Sequence, residues 1–248
     1  MINGDILRDA WISAANNISN YRKAVDDLNI FPVPDGDTGT NMSMTLSNSA
    51  RELEKLSGET AGKVASVNSS ALLRGARGNS GVITSLLFRG FAKGIGNDEF
   101  VTPQNITDAF VYGVEAAYKA VMKPKEGTIL TVAAGAATKA KELADNGCDN
   151  MEEFIDEVIK HADYVLSTTP DLLPVLKQAG VVDSGGQGLM EVLKGAFDAY
   201  QGKVTDFTLK ASGSGAKKTS AAGMENLATS DIKFVIQSRT SCMWRRLS

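Results

Sequence analysis

Apolar residues recur along the first 200 positions at helical intervals. Leu7, Trp11, Ala14, Ile18, Tyr21, Val25 and Leu28 fall at alternating four- and three-residue steps, which puts them on one helix face for about six turns. Pro32 ends that pattern. A second helix is expected from near Thr40, carrying Met42, Thr45, Leu46 and Leu53, and a third from about Thr60, carrying Val64, Val67, Ala71 and Leu72. Val82, Ile83, Leu86, Leu87 and Phe91 mark a fourth, closing at Gly94 or Gly96. Thr102-Pro103 is a helix-start signal, followed by Ile106, Ala109, Phe110, Val114 and Ala117. Thr128 to Ala144 is a helix of small residues, Met151 to Val165 another, Asp171 to Lys177 a short one, and Gln187 to Tyr200 the last. No segment of the first 200 residues shows the strict alternation of a half-buried strand. The expected fold is all-α, with eight or nine helices.

The polar connections are more unusual than the helices. Asp35-Gly-Asp37 puts two carboxylates in a turn approached through Pro32 and Pro34. Proline keeps the preceding residue out of the α region. Gly36 lets the chain turn so that both carboxylates aim at one point, and that convergence needs a hard cation such as Mg²⁺ or Ca²⁺. An EF-hand counted from Asp35 would need an oxygen ligand at Gly39 and a glutamate at Leu46, so that calcium motif is excluded. The plainer alternative is an acidic turn capping a helix through Thr38, Thr40 or Asn41. Three further connections share the same composition: Gly75-Ala-Arg-Gly-Asn-Ser-Gly81, Gly127-Thr128 and Val182-Asp-Ser-Gly-Gly-Gln-Gly188. Each stands just before a helical pattern, where free N–H groups and the helix dipole favour anions. None matches the P-loop or the dinucleotide-binding glycine pattern. Four such connections with a metal turn point to a polyphosphate bound through Mg²⁺. They fall after helices one, three, five and eight, and antiparallel neighbours place alternate connections at the same end.

Asp35-Gly-Asp-Thr-Gly-Thr-Asn-Met42, Gly75 to Gly81 and Val182-Asp-Ser-Gly-Gly186 resemble the nucleotide-binding (DhaL-like) domain shared by dihydroxyacetone kinases and bacterial fatty acid kinases. The flanking Leu28-Asn-Ile-Phe-Pro-Val-Pro34 and Asn79-Ser-Gly-Val-Ile83 resemble the fatty acid kinase branch. The resemblance spans about residues 1–205. It implies an up-and-down helical barrel with ATP or ADP at one open end, on a pair of Mg²⁺ ions held by Asp35 and Asp37, the residues on which catalysis rests. Dihydroxyacetone kinases have a third aspartate upstream; here Asn29 offers an amide oxygen as the third metal ligand. Thr38, Asn41, Asn79, Ser80 and Gly81 are then expected at the phosphates, and Gly127, Thr128, Asp183 and Gly185 at the ribose and base. Arg74 and Arg77 are read as surface ion-pair partners. The implied reaction is ATP-dependent phosphorylation of a fatty acid, presented by a separate fatty-acid-binding carrier protein, to an acyl phosphate. A dihydroxyacetone kinase subunit, a nucleotide-binding module without turnover and a ligand-free helical domain are the alternatives. A homodimer is among the assemblies the resemblance allows.

Composition narrows the picture further. The 248 residues carry a formal charge of −3, which gives no electrostatic argument for nucleic acid or membrane surfaces. No stretch has the apolar length of a membrane span, and Met1 to Asp5 shows no signal-peptide pattern. Cys148 and Cys242 have no metal-ligand partners nearby and are expected as thiols in a cytoplasmic protein. His161 is the single histidine, which argues against a Ser-His-Asp hydrolase. After about Thr205 the apolar period stops. Residues 206–248 read as a flexible linker, Lys210 to Gly223 above all, followed by Asp231 to Ile236, a strand-like segment with nothing to pair with. Past Phe234 the family pattern is lost, as a truncation or a changed reading frame would produce.

Overall fold

The computed structural model describes residues 1–204 and 206–209. The helices, in chain order, are α1 (Gly4–Asp27), α2 (Thr38–Leu53), α3 (Ala61–Gly75), α4 (Gly78–Ile95), α5 (Pro103–Ala120), α6 (Ile129–Asp145), α7 (Met151–Leu172), α8 (Pro174–Ala179) and α9 (Ser184–Tyr200). Among the described residues the one strand-like pairing is an antiparallel bridge between Ile2 and Val101. Each helix from α1 to α7 packs on the next, α7 packs on α9, and α9 closes back on α1. Eight helices thus form a ring, and six-residue α8 is a connector against α7. The all-α barrel expected from the sequence is the fold observed.

Local chemistry sets several helix starts. Asn3 accepts a hydrogen bond from the Ile6 amide, and Thr102 from Asn105, with the Asn105 side chain returning to the Thr102 amide. Asn150 caps α7, whose first turn carries Glu152 and Glu153, where negative charge is favourable. Starts differ from the sequence expectation where glycine was read as loop. α2 begins at Thr38, α4 at Gly78 and α9 at Ser184, so the glycine-rich motifs form first turns rather than preceding loops. α7 runs through Pro170 to Leu172, and Pro174 opens α8 at a position where a missing N–H costs nothing.

The ring's interior is apolar. Ile12, Ile18, Met42, Leu53, Leu72, Ile95, Phe154 and Met190 are fully buried. Trp11 meets Phe88 edge-on at 5.7 Å and Phe91 meets Phe110 at 5.1 Å, favourable geometries for aromatic pairs. These rings border an apolar cavity of about 110 Å³. Tyr21, expected on the buried stripe of α1, is 49 % exposed, although Ile18 and Val25 on either side of it along that stripe are fully buried.

The domain does not end at Thr205. Phe207 and Leu209 pack against the core, the Asn16 side chain donates to the Thr208 carbonyl at 3.0 Å, and the Leu209 amide donates to Glu54 at 2.6 Å. The packed chain therefore runs at least to Leu209. The linker from Lys210, the segment Asp231 to Ile236 and Cys242 lie outside the described residues.

Glycines bring the backbones of α4 and α5 into close approach. A Cβ on Gly90 would stand 2.0 Å from the Gly113 nitrogen, and one on Gly94 would stand 2.4 Å from the Ala109 nitrogen. Backbone atoms cannot move aside as a side-chain tip can. Gly90→Ala is therefore expected to destabilise the fold by about 1–3 kcal/mol or more through overpacking. Urea denaturation should show a lower midpoint at unchanged slope; an unchanged midpoint would reject the close contact.

Candidate functional site

The site starts with the way α2 is capped. Asp37 occupies the N-cap position of α2, yet its side chain makes no capping bond. Asp26, from the last turn of α1, does that work: it accepts from the Thr40 amide at 2.9 Å and from the Thr40 hydroxyl at 2.7 Å. Asp37 is left facing Asp35. The two carboxylates lie within hydrogen-bonding reach, and burial together with the charge of Asp37 raises the Asp35 pKa above its ordinary value. Neither aspartate has an ion-pair partner among the described residues. Asn29 stands beside them, its amide nitrogen donating to Asp35 at 3.1 Å and to the Val33 carbonyl at 2.6 Å. Its oxygen accepts from the Thr38 hydroxyl. In this arrangement Asn29 holds Asp35 in place, and ligation through its oxygen would need the opposite amide orientation.

Both aspartates line a cleft of about 700 Å³ at one end of the ring. Asn29, Thr38, Asn41, Asn79, Ser80, Thr128, Asp183 and Gly185 also line it, so four separate connections meet there. Thr38 ties two of them together, accepting from the Ser184 hydroxyl at 3.2 Å across 146 positions. α4 begins in the cleft wall with no side-chain cap. Its first-turn amides, and those of α2 apart from Thr40, carry the partial positive charge that favours an anion. Among the described residues no group of three or more His, Cys, Asp or Glu could hold a metal ion. Two carboxylates alone suit Mg²⁺ that completes its shell with water and phosphate oxygens, the usual pattern for nucleotide sites.

The DAK2 domain family profile matches residues 32–198. Two uncharacterised proteins of Staphylococcus aureus, from strains bovine RF122 / ET3-1 and USA300, are each 49 % identical over 202 residues, 82 % of this chain. The chain belongs to the DAK2 domain family. It spans about 37 % of the length of those two relatives. The fold is similar to that of the dihydroxyacetone kinase from C. freundii solved with AMP-PNP and Mg²⁺, with a TM-score of 0.58 at 16 % identity over 77 % of this chain and 33 % of that one. The native form of that kinase gives a TM-score of 0.52 at 18 % identity, over 79 % of this chain and 35 % of the other.

Within this DAK2 domain two expected site residues stand outside the cleft lining. Gly81 is buried, and a Cβ there would lie 2.3 Å from the Thr45 hydroxyl, so the glycine serves the contact between α4 and α2. Gly127 has a φ of +80° and closes on Leu172 and Thr169. Arg74 and Arg77 do not line the cleft either; the Glu52 carboxyl pKa is lowered chiefly by Lys55, with a smaller contribution from Arg74. Sequence reasoning missed Asp26, whose capping role depends on contact between α1 and α2. It also missed Lys123 and Lys125, which line the cleft from the connection between α5 and α6. No helix among the described residues is long and apolar enough to cross a membrane.

Asp183 does different work from the aspartate pair. It is 4 % exposed and caps α9, accepting from the Gly186 amide at 2.7 Å. The amides of Ile129 and Gly185 also bond to its carboxylate, so it ties the starts of α6 and α9 together. Burial outweighs these donors and pushes its pKa up to about 6. The folded state then holds this proton more tightly than the unfolded chain, whose aspartate titrates near 3.9. Between these values the folded state binds more protons, so Asp183 lowers stability as pH rises. Asp183→Asn removes that term. Relative to wild type, the variant is expected to gain about 3 kcal/mol between pH 3 and pH 7, at about 1.36 kcal/mol per pH unit of separation. Denaturation midpoints across that range check this; a difference independent of pH would contradict the cost of burying the charge.

Proposed function

We propose that this domain binds Mg²⁺–ATP in the cleft and transfers the terminal phosphoryl group to a fatty acid carboxylate presented by a separate carrier protein. It would then be the nucleotide-binding domain of a fatty acid kinase. The observation that carries the nucleotide reading is the pair of carboxylates Asp35 and Asp37, without an ion pair among the described residues, beside the uncapped start of α4. The solved dihydroxyacetone kinase of similar fold, with its AMP-PNP and Mg²⁺, supports the same reading. The segments Leu28 to Pro34 and Asn79 to Ile83 support the fatty acid branch through their resemblance.

The residues have separable roles in this proposal. Mg²⁺ on Asp35 and Asp37 would supply charge neutralisation at the phosphates. Asn29 orients Asp35 and is itself held by Thr38. Asn79 and Ser80 offer first-turn amides and side chains to phosphate oxygens, and Asn41 sits across from them on α2. Asp183 sets the spacing of the α6 and α9 starts, where Thr128 and Gly185 would border the nucleoside. Phosphoryl transfer asks the protein chiefly for positioning and charge stabilisation, so a site without histidine or cysteine suffices. A carboxylate oxygen forms the new bond to phosphorus, the bond to the bridging oxygen breaks, and ADP leaves.

The second reading is a dihydroxyacetone kinase nucleotide-binding module, favoured by the likeness to the C. freundii enzyme. Supplying either a fatty-acid-loaded carrier or a dihydroxyacetone-binding subunit separates the two, because the products are an acyl phosphate and a sugar phosphate. Asp35→Ala or Asp37→Ala is expected to abolish Mg²⁺-dependent ATP binding with the helical fold intact, as titration calorimetry and circular dichroism would read. Unchanged affinity in both variants would reject the metal assignment. Ser80→Ala should weaken ATP binding by about 1–3 kcal/mol, the scale of a hydrogen bond to a charged group, and equal affinity would remove Ser80 from the phosphate contacts.

A further inference from the structure

The connection between α5 and α6 carries the only lysines among the described residues that line the cleft, Lys123 and Lys125. Most other described lysines pair with a carboxylate on their own or a neighbouring helix, as Lys119 does with Glu115 and Lys177 with Asp171. Lys123 and Lys125 have no such pair among the described residues. The nearest acid in sequence, Glu126, is engaged elsewhere. It accepts from the Tyr118 hydroxyl at 3.1 Å and from the Thr131 hydroxyl at 2.7 Å. Burial, with the charge of Glu126, pushes the Tyr118 pKa up to about 12, so Tyr118 remains a donor at neutral pH.

The loop is fastened around that carboxylate. Thr131 also accepts from the Gly127 amide at 2.8 Å, and the Thr128 hydroxyl donates to the Lys125 carbonyl at 2.8 Å. Glu126 thus anchors the connection to both α5 and α6 while leaving the two ammonium groups unneutralised at the cleft. Metal bound at Asp35 and Asp37 would offset those carboxylates and leave much of a triphosphate's own charge unmatched. Two exposed lysines on another wall of the same cleft bring positive charge to meet it.

We propose that Lys123 and Lys125 are specificity-determining residues that favour nucleoside triphosphate over monophosphate, and that Glu126 is the positioning residue for their loop. This rests on the nucleotide reading above. Paired cations add affinity only where the ligand brings charge to meet them, so their contribution grows with phosphate number.

The test is calorimetric titration of wild type, the double variant Lys123→Met/Lys125→Met and the double variant Lys123→Arg/Lys125→Arg with ATP, ADP and AMP, all in Mg²⁺. The methionine variant is expected to lose on the order of 10- to 100-fold in affinity for ATP, the size of charge-assisted contacts, and little for AMP. The arginine variant should restore the preference for ATP. Glu126→Gln keeps both lysines and is expected to reduce the ATP-to-AMP ratio by loosening the loop. Equal losses for ATP and AMP, or none in the methionine variant, would overturn the inference while leaving the nucleotide site standing. Failure of wild type to bind any of the three nucleotides would overturn the underlying reading as well.

Discussion

Closure of α9 onto α1 is the contact on which the rest of the molecule depends. An up-and-down ring of eight helices has two unsatisfied faces until its ends meet. When they meet, the start of α9 comes to the start of α2, and the Ser184 hydroxyl reaches Thr38 at 3.2 Å. The same closure buries Met190 and Ile18 against one another's helices. It also puts the connections following α1, α3, α5 and α8 at one end, since neighbouring helices run in opposite directions. The cleft is a product of that arrangement, because no single connection encloses it.

Charge is allotted within the cleft by a division of labour among aspartates. Asp26 caps α2 from a neighbouring helix and so frees Asp37 from the capping role its position would otherwise give it. Asp183 is buried at the junction of two helix starts, where burial raises its carboxyl pKa to about 6 and backbone amides make it a structural tie. Asp35 and Asp37 are the pair left with like charge facing like charge. Such a pair is costly without a cation. This cost is what supports the proposal of a cation at the turn.

The DAK2 family match, residues 32–198, covers most of the cleft lining, with Asn29 and Phe31 just before it. The chain corresponds to about 37 % of its Staphylococcus aureus relatives. The acceptor and whatever presents it therefore remain matters of the proposal. The proposal of a nucleotide at this end is supported by the uncapped start of α4, the carboxylates of Asp35 and Asp37 and the lysine-bearing connection.

The all-α class, the order of the helices and the position of the Asp35-Gly-Asp37 turn were legible in the sequence, because helical periodicity and an Asp-Gly-Asp turn are local signals. Counting antiparallel helices placed alternate connections at one end, whereas closure of the ring was implied only by the resemblance. Helix starts at Gly78 and Ser184 were not legible: glycine reads as loop until a cap such as Asp183 and tertiary packing fix it in a first turn. Gly81 read as a phosphate contact, and only the approach of Thr45 from α2 showed that it serves helix packing. The bonds of Asn29 to Asp35 and Thr38, the capping of α2 by Asp26 and the exposure of Lys123 and Lys125 to the cleft were likewise decided by tertiary structure. Each depends on distances between elements, which periodicity and spacing along one chain do not encode.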